Sequence, residues 1–124
     1  MLNRVLMVGA GGFLGTIARY GLTLLISGWW KRGFPLATLI VNVSGSLLLG
    51  FVATYSLERN AIDPLWRLFF TAGFLGAFTT FSTFEYETQR LTEGGAPVWA
   101  LANVLFSVLA GFAAVQLGVV LARR

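Results

Sequence analysis

Residues 73–84 read Gly-Phe-Leu-Gly-Ala-Phe-Thr-Thr-Phe-Ser-Thr-Phe and gather most of the side chains in this sequence that could act on an ion. Gly73 and Gly76 lower the cost of non-helical backbone. Four hydroxyls follow, at Thr79, Thr80, Ser82 and Thr83. In an apolar segment this pattern has two readings. An interrupted helix would aim free carbonyls at a cation, or a helix N-terminus at an anion, and lipid tolerates such a break only inside protein or beside a water-filled cavity. A continuous helix would instead bond its hydroxyls back to the preceding turn. Phe81 and Phe84 are three apart and share a helix face. Aromatic ring edges are electropositive, so a small anion could meet two edges in line. The commoner role of such phenylalanines is packing against lipid or core.

Further uncharged donors stand elsewhere in the chain. Asn42 has Thr38 one turn before it and Ser46 one turn after, and Asn103 pairs in the same way with Ser107, continued by Gly111. Groups of this kind bridge membrane helices, at roughly 0.6–2 kcal/mol per contact. They could equally replace water around an anion without trapping it, which conduction requires. Arg19 lies inside the first apolar stretch. A buried position would cost it about 2.5–3.5 kcal/mol, so it is expected to snorkel to the interface or to line a vestibule. Of Glu85 and Glu87, one is expected to face water and the other a basic partner such as Arg90.

The absences matter as much. With no cysteine and no histidine, the chain has no disulfide, no thiolate chemistry, no zinc site of the usual kind and no histidine acid–base catalysis. No nucleophile–base pair or metal-ligand cluster is visible, so the sequence does not read as an enzyme. The net charge is +4, but the basic residues are scattered and suit lipid headgroups rather than a nucleic acid.

These residues need elements to position them. Of 124 residues, 56% are hydrophobic and 11% charged, with a mean hydropathy of +0.77. An average soluble domain carries roughly 25% charged residues. In so small a chain surface dominates, and the apolar side chains must therefore point outward, into lipid. The length allows a single domain, residues 1–124. A spanning helix needs about 20 apolar residues, and four segments qualify: 2–26, 36–57, 65–91 with a polar second half, and 98–122. The first has Arg4 ahead of an apolar run, as a signal peptide would, yet it reads as a mature helix beside three others. Short connectors at 28–35, 58–64 and 93–97 each end in proline. Trp29, Trp30, Trp66 and Trp99 fall at segment ends, where an aromatic belt belongs. The fold expected is an all-α, multi-pass membrane protein of four transmembrane helices, with the third either continuous or, as the resemblance described below implies, broken near mid-membrane.

Four spans place both termini on one side, with Arg4, Arg59, Arg67, Arg123 and Arg124. Lys31, Arg32 and Arg90 lie on the other, with Arg19 reaching toward it. So small an asymmetry permits insertion in both orientations as well as in one. Small residues recur at Gly11 and Gly15, Ser46 and Gly50, and Ala114 and Gly118, where they let backbones approach. Four short helices enclose little space, so self-association is expected.

Three of these elements together resemble the Fluc (CrcB-type) fluoride channels: Gly-x-x-x-Arg ending at Arg19, Thr-Leu-Ile-Val-Asn ending at Asn42, and Gly-Ala-Phe-Thr-Thr-Phe-Ser-Thr-Phe at 76–84. The likeness covers nearly the whole chain, and the last motif is specific. It implies an antiparallel, dual-topology homodimer in the cell (plasma or inner) membrane, with two pores that export fluoride passively and confer fluoride resistance. It places the anion pore on Phe81, Phe84, Asn42 and Thr38, with Ser82 and Thr83 in the same motif and Asn103 and Ser107 on the last helix. Arg19 falls in the vestibule. The resemblance also implies a structural sodium ion on the dimer axis, held by the backbone carbonyls of Gly76 and Thr79. Some relatives carry tyrosine or serine at the Asn103 position and serine at that of Gly111, where this chain departs from them. Two other classes stand beside this reading. A small four-helix proton-coupled multidrug transporter would want a carboxylate deep in a helix, and the first two spans have none before Glu58. In a non-conducting assembly subunit the polar stripes would serve as packing contacts only.

Overall fold

The computed structural model describes all of residues 1–124, and every regular element in it is helical. Helix α1 (Leu2–Trp29) is an apolar run without proline. It ends where Trp30 turns extended, and Trp30 Nε1 donates to the Phe34 carbonyl at 2.7 Å to close the loop. Helix α2 (Leu36–Arg59) starts after Pro35 and stops at Asn60, which takes the left-handed conformation that asparagine tolerates at a helix end. Asp63 then accepts from the Leu65 N–H at 2.8 Å, and Pro64 opens α3 (Pro64–Leu68).

The third segment is not one helix. After α3 the chain widens into a π-helical stretch (Phe69–Leu75) and tightens to α4 (Gly76–Phe78). It becomes extended at Thr79 and Thr80, then resumes as α5 (Phe81–Glu93). A turn with Gly95 at φ 78° leads to α6 (Pro97–Arg123). Helices α1, α2 and α6 are long and apolar enough to cross a membrane. At 1.5 Å per residue, 24 to 28 residues extend about 36–42 Å, more than a hydrocarbon core of about 30 Å.

The packing explains why only 17 of 124 residues are buried: helices meet backbone to backbone and leave their large side chains outside. Between α2 and α6, a methyl on Gly50 would strike the Val115 carbonyl, and one on Gly118 the Leu47 carbonyl. Between α1 and the third segment, Gly11 faces the Phe69 carbonyl, Gly15 the Phe74 carbonyl, and Gly73 the Val8 carbonyl. The small residues singled out in the sequence thus bring helices together within the chain. The exposed leucines, phenylalanines and valines of α1 and α6 form an apolar exterior suited to lipid, and the protein is a multi-pass membrane protein.

One sequence expectation about the third segment needs correction. Gly73 and Gly76, read as the weak points of the third helix, are both helical. Gly73 is small because α1 lies against it, and the break begins three residues beyond Gly76, at residues with no special conformational freedom.

Candidate functional site

Several of the backbone groups that the break withdraws from helical pairing are taken up by side chains. Thr80 is the centre. In a continuous helix its N–H would donate to the Gly76 carbonyl; it donates to Asn42 Oδ1 instead, at 2.8 Å. The Thr80 carbonyl accepts from Asn42 Nδ2 at 2.9 Å. One amide side chain on α2 therefore pairs both polar groups of one residue, as a neighbouring strand would. From α1, Arg19 Nε donates to the Ala77 carbonyl at 3.0 Å. Thr80 Oγ1 caps α5 by accepting from the Thr83 N–H at 3.3 Å, and it lies 3.0 Å from Thr83 Oγ1. On the other side, the Thr79 hydroxyl bonds back to the Leu75 carbonyl at 3.0 Å.

Both readings of the hydroxyl run thus hold in part: the helix is interrupted, and one threonine back-bonds. The break sets the carbonyl end of α4 against the N–H end of α5. The Gly76 and Thr79 carbonyls have lost the N–H groups of Thr80 and Thr83, which a continuous helix would offer them. A helix N-terminus of 13 residues follows immediately, with its first N–H groups unpaired by the helix.

Two small cavities flank the break. One, of about 210 Å³, is lined by Asn42, Ser46, Leu49, Thr79, Thr80 and Phe81. The other, of about 90 Å³, has Arg19, Thr23, Thr38, Thr80, Thr83 and Glu87 among its walls. Thr23 and Glu87 also line a wider basin of about 540 Å³ at the loop side, which Arg32 and Arg90 border. Thr23 and Glu87 therefore border both the loop-side basin and a cavity at the break.

The structure brings Thr38, Asn42, Thr83 and Arg19 together around Thr80. It treats the remaining expected site residues differently. Phe81 and Phe84 are neighbours, with centroids 5.8 Å apart and planes at 50°, but Phe84 is 6% exposed and Phe81 74%. One chain therefore does not enclose the pair. Ser82 is exposed beside Phe81. Asn103 is fully buried, yet its Nδ2 donates to Thr88 Oγ1 at 2.9 Å, and Ser107 reaches Asn103 Oδ1 only at 3.5 Å. That pair ties α6 to α5 away from the two cavities at the break.

Arg19 is tied to the break, because α1 passes close enough for its guanidinium to reach the Ala77 carbonyl. Glu87 has no basic partner: Thr38 Oγ1 donates to its Oε1 at 2.9 Å, and its buried Oε2 has no hydrogen-bond partner. Glu85 faces outward. Sequence reasoning missed Thr80 as the hub and Thr88 as a bridge. The spacing of Thr80 and Thr83 before a new helical run was the available signal for the first; nothing in the sequence marked the second.

Residues 6–119 match the family described as CrcB-like protein, Camphor Resistance (CrcB). A Symbiobacterium thermophilum protein named fluoride-specific ion channel FluC 2 is 50% identical over 117 residues, covering 94% of this chain and 95% of that protein. Fluoride-specific ion channel FluC 1 of Moorella thermoacetica is 46% identical over 118 residues, 95% of this chain and 84% of its own. A Solibacter usitatus protein named fluoride-specific ion channel FluC is 45% identical over 121 residues, 98% of this chain and 99% of its own.

Proposed function

This chain belongs to the CrcB-like family, and from that premise we propose that it is the subunit of a fluoride-selective channel, through which fluoride leaves the cell passively and fluoride toxicity is relieved. The observation that carries the proposal is the break at Thr79 and Thr80, where a membrane segment exposes paired and unpaired polar groups beside Phe81. Fluoride is small and tightly hydrated, so its path must offer close, uncharged donors in place of water. The hydroxyls of Ser82 and Thr83 and the second Nδ2 hydrogen of Asn42 are of that kind, whereas the Thr38 hydroxyl is spent on Glu87. The start of α5 adds the positive end of a helix dipole, and the rings of Phe81 and Phe84 add electropositive edges.

The functional unit in this proposal is an antiparallel homodimer in the cell membrane. The outer face of α5 presents Phe81, Ser82, Glu85 and Tyr86, all exposed in the single chain. A carboxylate and free hydroxyls on a membrane segment need a protein neighbour or water, and a second copy supplies the neighbour. The near-even division of Lys and Arg suits insertion in both orientations. The donor set also suits a structural sodium ion, since the freed carbonyls of Gly76 and Thr79 are the hard oxygen ligands such a cation prefers. Bound there, the ion supplies positive charge that offsets repulsion between anions. Glu87 alone does not favour the proton-coupled transporter, because the relatives carry channel names and α1 holds no acid.

Efflux from liposomes containing the purified protein tests the proposal. Fluoride should leave passively while chloride is retained. Equal passage of both ions, no flux at all, or flux only when a proton gradient is exchanged would overturn it.

A further inference from the structure

We propose that Asn42 is a positioning residue whose side-chain amide keeps the third segment broken, so that without it residues 79 and 80 close into continuous helix. A carboxamide reproduces the N–H and C=O of a peptide unit. At 2.8 and 2.9 Å, Asn42 offers both to Thr80 and occupies the two groups that a helix would direct to Gly76 and Phe84. Arg19 occupies a third, the Ala77 carbonyl, which a helix would pair with the Phe81 N–H. The arrangement is two-state by construction. Polar backbone in lipid must find a partner, and an apolar residue at position 42 would leave the Thr80 N–H with one nearby alternative, the free Gly76 carbonyl. Helix is already nucleated on both sides, at Gly76–Phe78 and Phe81–Glu93, so closing the gap requires no new nucleus. Gly45 holds a further constraint on the same helix face as Asn42: a methyl there would collide with Thr79 Cγ2, so α2 is shaped to receive the extended chain.

This role differs from that of a pore-lining donor. Only one Nδ2 hydrogen is engaged by Thr80, and the other stays available to the cavity that Asn42 shares with Ser46 and Phe81. It also stands independently of which ion passes.

Loss of flux would follow from either role, so the test reads the backbone. The protein in lipid bilayers, labelled with ¹³C-threonine, gives Cα and Cβ shifts for Thr79 and Thr80 that separate extended from helical conformation. In the native chain both should be extended. In Asn42→Leu, which keeps the shape and removes both bonds, they should move to helical values. In Asn42→Asp, which keeps the acceptor for the Thr80 N–H, they should stay extended. Extended shifts in Asn42→Leu overturn the proposal. So does failure of both variants to give folded protein, which would make the amide a general requirement for folding rather than the residue that sets the break.

Discussion

Helices α2 and α6 pass each other unbroken, with Gly50 set against the Val115 carbonyl and Gly118 against the Leu47 carbonyl. Helix α1 and the third segment use the same device, through Gly11, Gly15 and Gly73, yet there the partner bulges into a π-helix and then comes apart. Side-chain supply is what differs. Between α2 and α6 the side-chain hydrogen bonds are those of Arg123 to Glu58 at the exposed end. Around the break, Asn42 and Arg19 reach in from α2 and α1 to pair the backbone groups that the helix has released. Glycine lets membrane helices approach, but a break survives in lipid only where neighbours replace the lost bonds.

The largest effect should come from the unbroken pair. Gly118→Val puts a branched side chain against the Leu47 carbonyl and the Phe51 N–H, both backbone, so relief requires separating the helices. A loss of about 3 kcal/mol or more is expected in thermal unfolding. Gly111→Ala, whose methyl would lie at an ordinary 3.8 Å from Ser46 Oγ, should leave the melting temperature nearly unchanged. Equal loss in both would show that these contacts do not hold the pair.

For the phenylalanines beside the break the signature should be in flux rather than in assembly. Phe81→Ala and Phe84→Ile should each lower fluoride flux by roughly tenfold, a barrier increase of about 1.4 kcal/mol, while the oligomer persists on size-exclusion chromatography. Undiminished flux in both would remove the ring edges from the path. Thr80→Val keeps the β-branched shape and removes the cap of α5. It should cost about 1 kcal/mol of stability, more than a surface threonine replaced in the same way.

The smallest effect belongs to Glu58. Its hydrogen bond and charge interaction with Arg123 hold its carboxyl below the ordinary carboxylate range, although both side chains are exposed. A depressed folded-state pKa stabilises the protein above the unfolded value, and that contribution fades as pH falls through the folded one. In water the pair contributes little. Glu58→Gln should barely shift the melting temperature at pH 7 and should differ from the native chain still less in acid. A marked shift at pH 7 would mean that the clasp matters more than its exposure allows.

Much of this architecture was legible in the residues. The apolar lengths placed α1, α2 and α6 to within three residues at each end, because span length is set by the bilayer and not by tertiary detail. The concentration of hydroxyls and glycines flagged the third segment correctly. Its exact break was missed because Gly73 serves helix contact, whereas the extended Thr80 is held by Asn42, 38 positions away. The π-helical stretch has no propensity signal of its own; it lies where the backbones of α1 and the third segment touch. Asn103 was read as a group that could bridge helices, and Arg19 as one that would snorkel or line a vestibule. The partners, Ala77 and Thr88, depended on a helix arrangement that spacing does not encode.

A structure of the assembled protein in lipid with fluoride present would test the central claim most directly. The account predicts residues 79 and 80 extended in each chain, Phe81 covered by a second, oppositely oriented copy, and anion density at the edges of the Phe81 and Phe84 rings. A continuous third helix, or Phe81 resting against acyl chains with no polar corridor beside it, would contradict it.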